Sequence, residues 1–141
     1  MFRILQVRTL TGHSGEVFPV EFSHDGAQVV SSGSMDDSLR WWDVASGRQV
    51  RQLAGTEFAL VDSLSGEHTT DRHVITALGD TLRIYEVAKE EQRAEDGAAA
   101  APVACFKAPQ AIRSVRCFGA TICVGCWDGA VCILSAPFLA A

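Results

Sequence analysis

Thr9-Leu10-Thr11-Gly12-His13 opens, and Trp42-Asp43-Val44 closes, the stretch on which the reading of this chain turns. Between them stand Val17-x-x-Val20-x-Phe22-Ser23-His24-Asp25-Gly26 and Val29-Val30-Ser31-Ser32-Gly33-Ser34, then Asp36-Asp37-Ser38-Leu39-Arg40-Trp41. Short β-branched and aromatic runs separated by turn residues predict three strands, over 16–22, 27–33 and 38–43. The turns between and after them are His24-Asp25-Gly26, Ser34-Met35-Asp36-Asp37 and Ala45-Ser46-Gly47. Asp25-Gly26 is a hairpin signal, because glycine accepts the positive φ of a tight turn. Pro19 cannot donate to a ladder, so the first strand belongs at a sheet edge. Residues 4–10 alternate as one more short strand ahead of Gly12-His13.

Working outward, the pattern recurs in weaker form. Asp80-Thr81-Leu82-Arg83-Ile84-Tyr85-Glu86-Val87 matches Asp37 through Val44 at an offset of 43, with Tyr85 standing for Trp42 and Glu86 for Asp43. His73-Val74-Ile75-Thr76-Ala77 matches Gln28 through Ser32 at an offset of 45, which shortens the following turn by two residues. Gly55-Thr56 stands where Gly12-His13 would recur, without the histidine. The stretch from Ile122 to Leu134 aligns without gaps to Val30 through Trp42 at an offset of 92. That alignment puts Trp127-Asp128 in a hairpin turn, with Asp128 matching Asp36 and Leu134 matching Trp42.

This unit resembles the WD repeat of WD-repeat β-propeller proteins, whose blades repeat every ~40–45 residues and carry a Gly-His start and a Trp-Asp end. The resemblance is closest over residues 9–44 and looser beyond. It implies an all-β chain, a WD40-type propeller segment of about three four-stranded blades. The divisions are an intact repeat at 9–53, a degenerate one at 54–107, a partial one at 108–135 and a tail at 136–141. Residues 88–101, charged and then nearly all alanine, read as a loop inserted in the second repeat, with a short helix over 88–94 as an alternative. In a WD repeat the strand at 4–10 would be the outermost one of the preceding blade. Propellers use about 4–8 blades, so three are incomplete without further repeats or a partner chain.

Composition narrows the function classes. The 141 residues are 48% hydrophobic, enough for a sizeable core. A net charge of −5 supplies no basic field for a nucleic-acid backbone. No run of 18 apolar residues and no signal pattern at the N-terminus are present, so neither a membrane nor secretion is expected. Five cysteines, an odd number, fit a reducing compartment and an intracellular, cytoplasmic rather than nuclear, location.

Two constellations invite chemistry. His13, Ser32 and Asp36 contain the residue types of a hydrolase triad, yet no nucleophile elbow or glycine-rich oxyanion loop accompanies them. The resemblance implies instead that His13, Ser32, Asp36 and Trp42 form a structural hydrogen-bond network, with Asp36 rather than Asp37 as the turn aspartate. Cys123-x-x-Cys126 has zinc or redox spacing, but a separation of three along a strand points the two thiols to opposite faces. Buried small apolar groups are the expected role of these cysteines. No catalytic residue, metal or cofactor is therefore called for.

The expected function is a non-enzymatic scaffold that holds partner proteins or peptides, with Glu16, Arg40 and Arg83 as contact residues. Self-association could complete the propeller. The alternatives are the recognition part of a larger ligase or ATP-driven assembly protein, and a truncated product without independent function.

Overall fold

A computed structural model describes residues 3–23, 25–33, 35–54, 60–63, 73–86 and 101–140. The inserted loop at 88–101, with its alternative helix over 88–94, falls outside these residues except for Ala101. Among the described residues, eleven strands form three antiparallel sheets. Sheet one is β1 (Val17–Phe22), β2 (Gln28–Gly33), β3 (Ser38–Asp43) and β4 (Gln49–Ala54), paired in chain order. Sheet two repeats that order with β5 (Leu60–Ser63), β6 (His73–Leu78), β7 (Thr81–Glu86) and β8 (Ala104–Lys107). Sheet three holds β9 (Ile112–Phe118), β10 (Thr121–Cys126) and β11 (Val131–Ser135), followed by a short 3-10 helix at Pro137–Ala140. The architecture is a segment of a WD40-type propeller, and among the described residues its sheets do not close into a ring.

The three strands predicted over 16–22, 27–33 and 38–43 are β1, β2 and β3. Pro19 lies in β1, an edge strand, and the ladder register slips between Val17 and Val20, where the proline interrupts it. The strand expected at 4–10 is not formed. Ile4, Leu5 and Val7 are almost fully exposed, because no neighbouring strand is there to pair with the segment. Sheet three correspondingly shows three strands and not four.

Alternation along each strand decides which face is buried. Val30, Leu39 and Trp41 share one face of sheet one and pack with Val74 of β6. On the other side of sheet two, Ile75, Ala77, Leu82 and Ile84 pack against Ile112, Val115, Ile122 and Val124 of sheet three. Sheet two is thus covered on both faces, which explains why Val74-Ile75-Thr76-Ala77 is a continuous buried run instead of an alternating one. Each fully buried aliphatic side chain contributes roughly 1.5–3 kcal/mol. Among the described residues, sheets one and three each keep a second face without a covering sheet.

Candidate functional site

That second face of sheet one carries the polar cluster. Cross-strand pairing sets Ser31 opposite Arg40 and Val29 opposite Trp42, so Val29, Ser31, Gly33, Arg40 and Trp42 project to the same side. The loop at 12–15 brings His13 over this face ahead of β1. The Trp42 indole Nε1 donates to Ser31 Oγ at 2.7 Å, and Ser31 Oγ lies 2.8 Å from His13 Nε2. His13 Nδ1 meets Asp36 Oδ2 at 2.8 Å. The His13 and Trp42 rings also meet edge to face, with centroids 6.0 Å apart.

Proton roles follow from these contacts. An ionised Asp36 only accepts, so the His13 nitrogen that faces it, Nδ1, carries a proton. The contacts run from Trp42 through Ser31 and His13 to Asp36. Asp36 is further held at Oδ1 by the Ser38 hydroxyl at 2.9 Å and at Oδ2 by the Ser14 amide at 3.3 Å. Burial pushes the Asp36 carboxyl up, but the hydrogen bonds from His13, Ser38 and Ser14 outweigh it and leave its pKa below the usual value.

Three of the four residues named from the sequence meet here: His13, Asp36 and Trp42. The fourth does not. Ser32, expected in the network, points to the opposite face of β2, where it is buried beside its ladder partner Leu39. Ser31 takes its place. Asp36 rather than Asp37 reaches His13, while Asp37 sits in the turn with a positive φ of 44°. Gly33 makes room for the pair, because a Cβ there would collide with His13 Nδ1 and Asp36 Oδ1.

The suggested contact residues separate in the same way. Glu16 is exposed at the entrance to β1. Arg40 is not a free surface charge: its guanidinium is 16% exposed, donates to Gln49 Oε1 at 2.8 Å and lies 3.4 Å from Asp36 Oδ2. Arg83 occupies the matching position on β7 and is half-buried.

The cysteines divide by face. Cys126 is buried in the core between sheets two and three, with Cys132 against the same cluster. Cys123 faces the other way, opposite Ile133. Burial raises the Cys126 thiol pKa, and the neighbouring Cys132 raises it further. The two thiols of Cys123-x-x-Cys126 therefore do not converge on one point. Among the described residues, no group of three His, Cys, Asp or Glu side chains is placed to hold a metal ion.

One surface feature lay outside the sequence reading. Trp127, in the β10–β11 turn, is 69% exposed and lies under the Arg113 guanidinium at 4.1 Å. Its counterpart in the β2–β3 turn, Met35, is also exposed. The offset that placed Trp127 in a turn was the available signal. What was missing was that Arg113, at the start of β9, would reach across to it.

The family model described as "WD domain, G-beta repeat" matches residues 5–43. That stretch is a WD repeat. An uncharacterised WD repeat-containing protein of Synechocystis is 42% identical over 50 residues, 36% of this chain and 14% of that protein. The small ribosomal subunit protein RACK1 of Dictyostelium discoideum is 50% identical over 44 residues, 31% of this chain and 13% of that one. The solved structure of the RRP9 WD40 repeats superposes with a TM-score of 0.65 at 16% identity, covering 94% of this chain and 39% of that one. That last likeness is one of fold. The chain spans between 10% and 14% of the length of the curated relatives it matches. WD repeats generally mediate protein–protein interaction. Among the described residues no helix is long and apolar enough to cross a membrane.

Proposed function

We propose that the chain is a non-enzymatic interaction scaffold whose turn end, centred on Trp127 and Arg113, binds peptide segments of partner proteins. Residues 9–53, 54–107 and 108–135 act as its three repeats. A second copy of the chain is one such partner, and nucleic acid is not. The observation that carries this reading is the exposed indole of Trp127 held under an exposed guanidinium. Tryptophan and arginine are the side chains that most often dominate a protein interface, since each offers a large, pre-set contact area. Five free cysteines support an intracellular, cytoplasmic setting.

The state of the serine supports the non-enzymatic reading. Ser31 is buried, and its Oγ is held by the Trp42 N–H and the His13 ring. The recess beside it is lined by Leu10, Val17, Val20 and Val29 together with His13 and Trp42, and the nearby Arg40 guanidinium is engaged by Gln49 and Asp36.

Panning a displayed peptide library against the intact 141-residue chain tests the proposal. Selected peptides should lose about tenfold or more in affinity with Trp127→Ala and with Arg113→Ala. Binding indifferent to both changes overturns the assignment of that end. Covalent labelling of Ser31 by a fluorophosphonate overturns the non-enzymatic half.

A further inference from the structure

β9 carries one residue more than β10 can pair. Ser114 lies opposite Gly125 and Ile112 opposite Cys126, which leaves Arg113 as the extra residue of a β-bulge. An unshifted ladder would set Arg113 opposite Cys126, on the face that packs into the core between sheets two and three. The bulge gives that place to the buried Ile112 and turns Arg113 out to the surface. Gly125 accommodates the shifted strand, because a Cβ there would collide with Ser114 Oγ.

The indole that Arg113 meets is held just as firmly. The Trp127 amide donates to the Ala111 carbonyl at 2.8 Å, which ties the β10–β11 turn to the residue just before β9. Within the turn the Gly129 amide donates to the Cys126 carbonyl at 3.2 Å, and Gly129 adopts a φ of 88° that favours glycine. Asp128 is occupied by its own turn, where its Oδ1 accepts from the Ala130 amide at 3.0 Å, and it forms no ion pair with Arg113. Guanidinium and indole are thus both set by the backbone before a ligand arrives, which lowers the ordering cost of binding.

The guanidinium keeps its hydrogen-bonding edge open. One of its faces lies against the Trp127 ring, and among the described residues its N–H groups meet no acceptor. The next arginine along β9 is already engaged: Arg116 lies 3.5 Å from Glu21 Oε1 and donates to the Val115 carbonyl at 3.0 Å. A single planar fork matches one carboxylate through two parallel N–H···O bonds. Phosphate recognition draws on clusters of arginine, and Arg116 is not available to make one here.

We infer that the Trp127 end binds acidic peptides, with the Arg113 fork taking the carboxylate of a partner's Asp or Glu and the exposed indole taking an apolar side chain beside it. The assignment rests on the reading of that end as a peptide-binding surface and names the chemistry of its ligand.

Two displayed peptide libraries, identical except for a Glu or a Gln fixed at the central position, are panned against the intact chain. The Glu library should enrich and the Gln library should not. Winners remade as soluble peptides should lose about tenfold or more in affinity when that Glu becomes Gln. In Arg113→Gln the same exchange should cost about twofold or less, because the partner of the carboxylate is gone. The melting temperature of this variant should match that of the parent, since Arg113 packs only on an exposed ring. Arg113→Lys keeps the charge but not the fork, and should recover only part of the affinity. Equal enrichment of both libraries at Trp127 overturns the carboxylate assignment and leaves the scaffold reading standing. So does a loss from Glu to Gln as large in Arg113→Gln as in the parent, or binding about tenfold tighter when phosphoserine replaces the Glu. No enrichment from either library, or winners indifferent to both Trp127→Ala and Arg113→Ala, sinks the peptide-binding reading and this assignment together.

Discussion

Ser31 Oγ lies 2.7 Å from the Trp42 indole nitrogen and bridges it to His13, while the adjacent Ser32 occupies the opposite face of the same strand. The two serines therefore have different energetic partners despite their adjacency. Ser31→Ala leaves a buried indole N–H and an imidazole nitrogen unsatisfied, a cost of about 1–3 kcal/mol. In a double-mutant cycle with Trp42→Phe, Ser31→Ala should show a coupling of at least about 0.5 kcal/mol and Ser32→Ala close to none. Urea unfolding of the four variants measures both values. Equal couplings would mean that the network runs through the other hydroxyl.

Gly33→Ala should be more damaging than its size suggests. The new Cβ would strike His13 Nδ1 and Asp36 Oδ1. Displacing the pair costs its hydrogen bonds in addition to the steric strain, about 2–4 kcal/mol together. Gly26→Ala, at a φ of 70° with open space around it, should cost only about 1 kcal/mol. Adding His13→Ala to Gly33→Ala removes part of the collision, so the double variant should melt above the sum of its singles.

The Asp36 carboxyl also makes stability depend on pH. Its pKa in the folded chain is held below that of the unfolded chain, about 3.9. Its contribution is therefore fully present above that unfolded value and is lost as pH falls through the lower folded one. Asp36→Asn should flatten the acid limb of the stability curve below about pH 4, in addition to lowering stability at neutral pH. Thermal melts of both proteins across that range check the sign. An acid limb of unchanged slope would show that Asp36 is not the group responsible.

Thiol reactivity should follow burial. Cys105 is exposed, whereas Cys126 is buried with its pKa raised by desolvation and by Cys132. Because the thiolate is the reacting form, iodoacetamide at neutral pH should label Cys105 first and Cys126 last. Peptide mapping after timed quenching gives the order. Early labelling of Cys126 would indicate that the core between sheets two and three opens readily.

Much of the site was legible from spacing, and the part that was not depended on facing. Asp36 lies six residues before Trp42, and that interval picked out the aspartate that meets His13. The same kind of spacing could not choose between Ser31 and Ser32. Adjacent strand residues point to opposite faces, so the choice depends on how β2 registers against β3. Once Val30 is paired with Trp41, Trp42 shares its face with Val29 and Ser31, and Ser32 is excluded. The intrachain partners of Arg40 were hidden for a related reason. An arginine within a strand looks solvent-bound in sequence, yet here the turn folds Asp36 back over it.

By itself the sequence determined the local chemistry: where turns fall, which runs extend, that Pro19 needs an edge, and that a blade-like unit recurs. These follow from short-range sterics and periodicity, which are written into neighbouring residues. Only the tertiary structure decided which sheet is covered on both faces, which serine meets the indole, and that residues 6–10 have no strand beside them. Those outcomes depend on pairing between segments far apart in the chain. Register and face there are set by what packs against each sheet, not by the residues of any one strand.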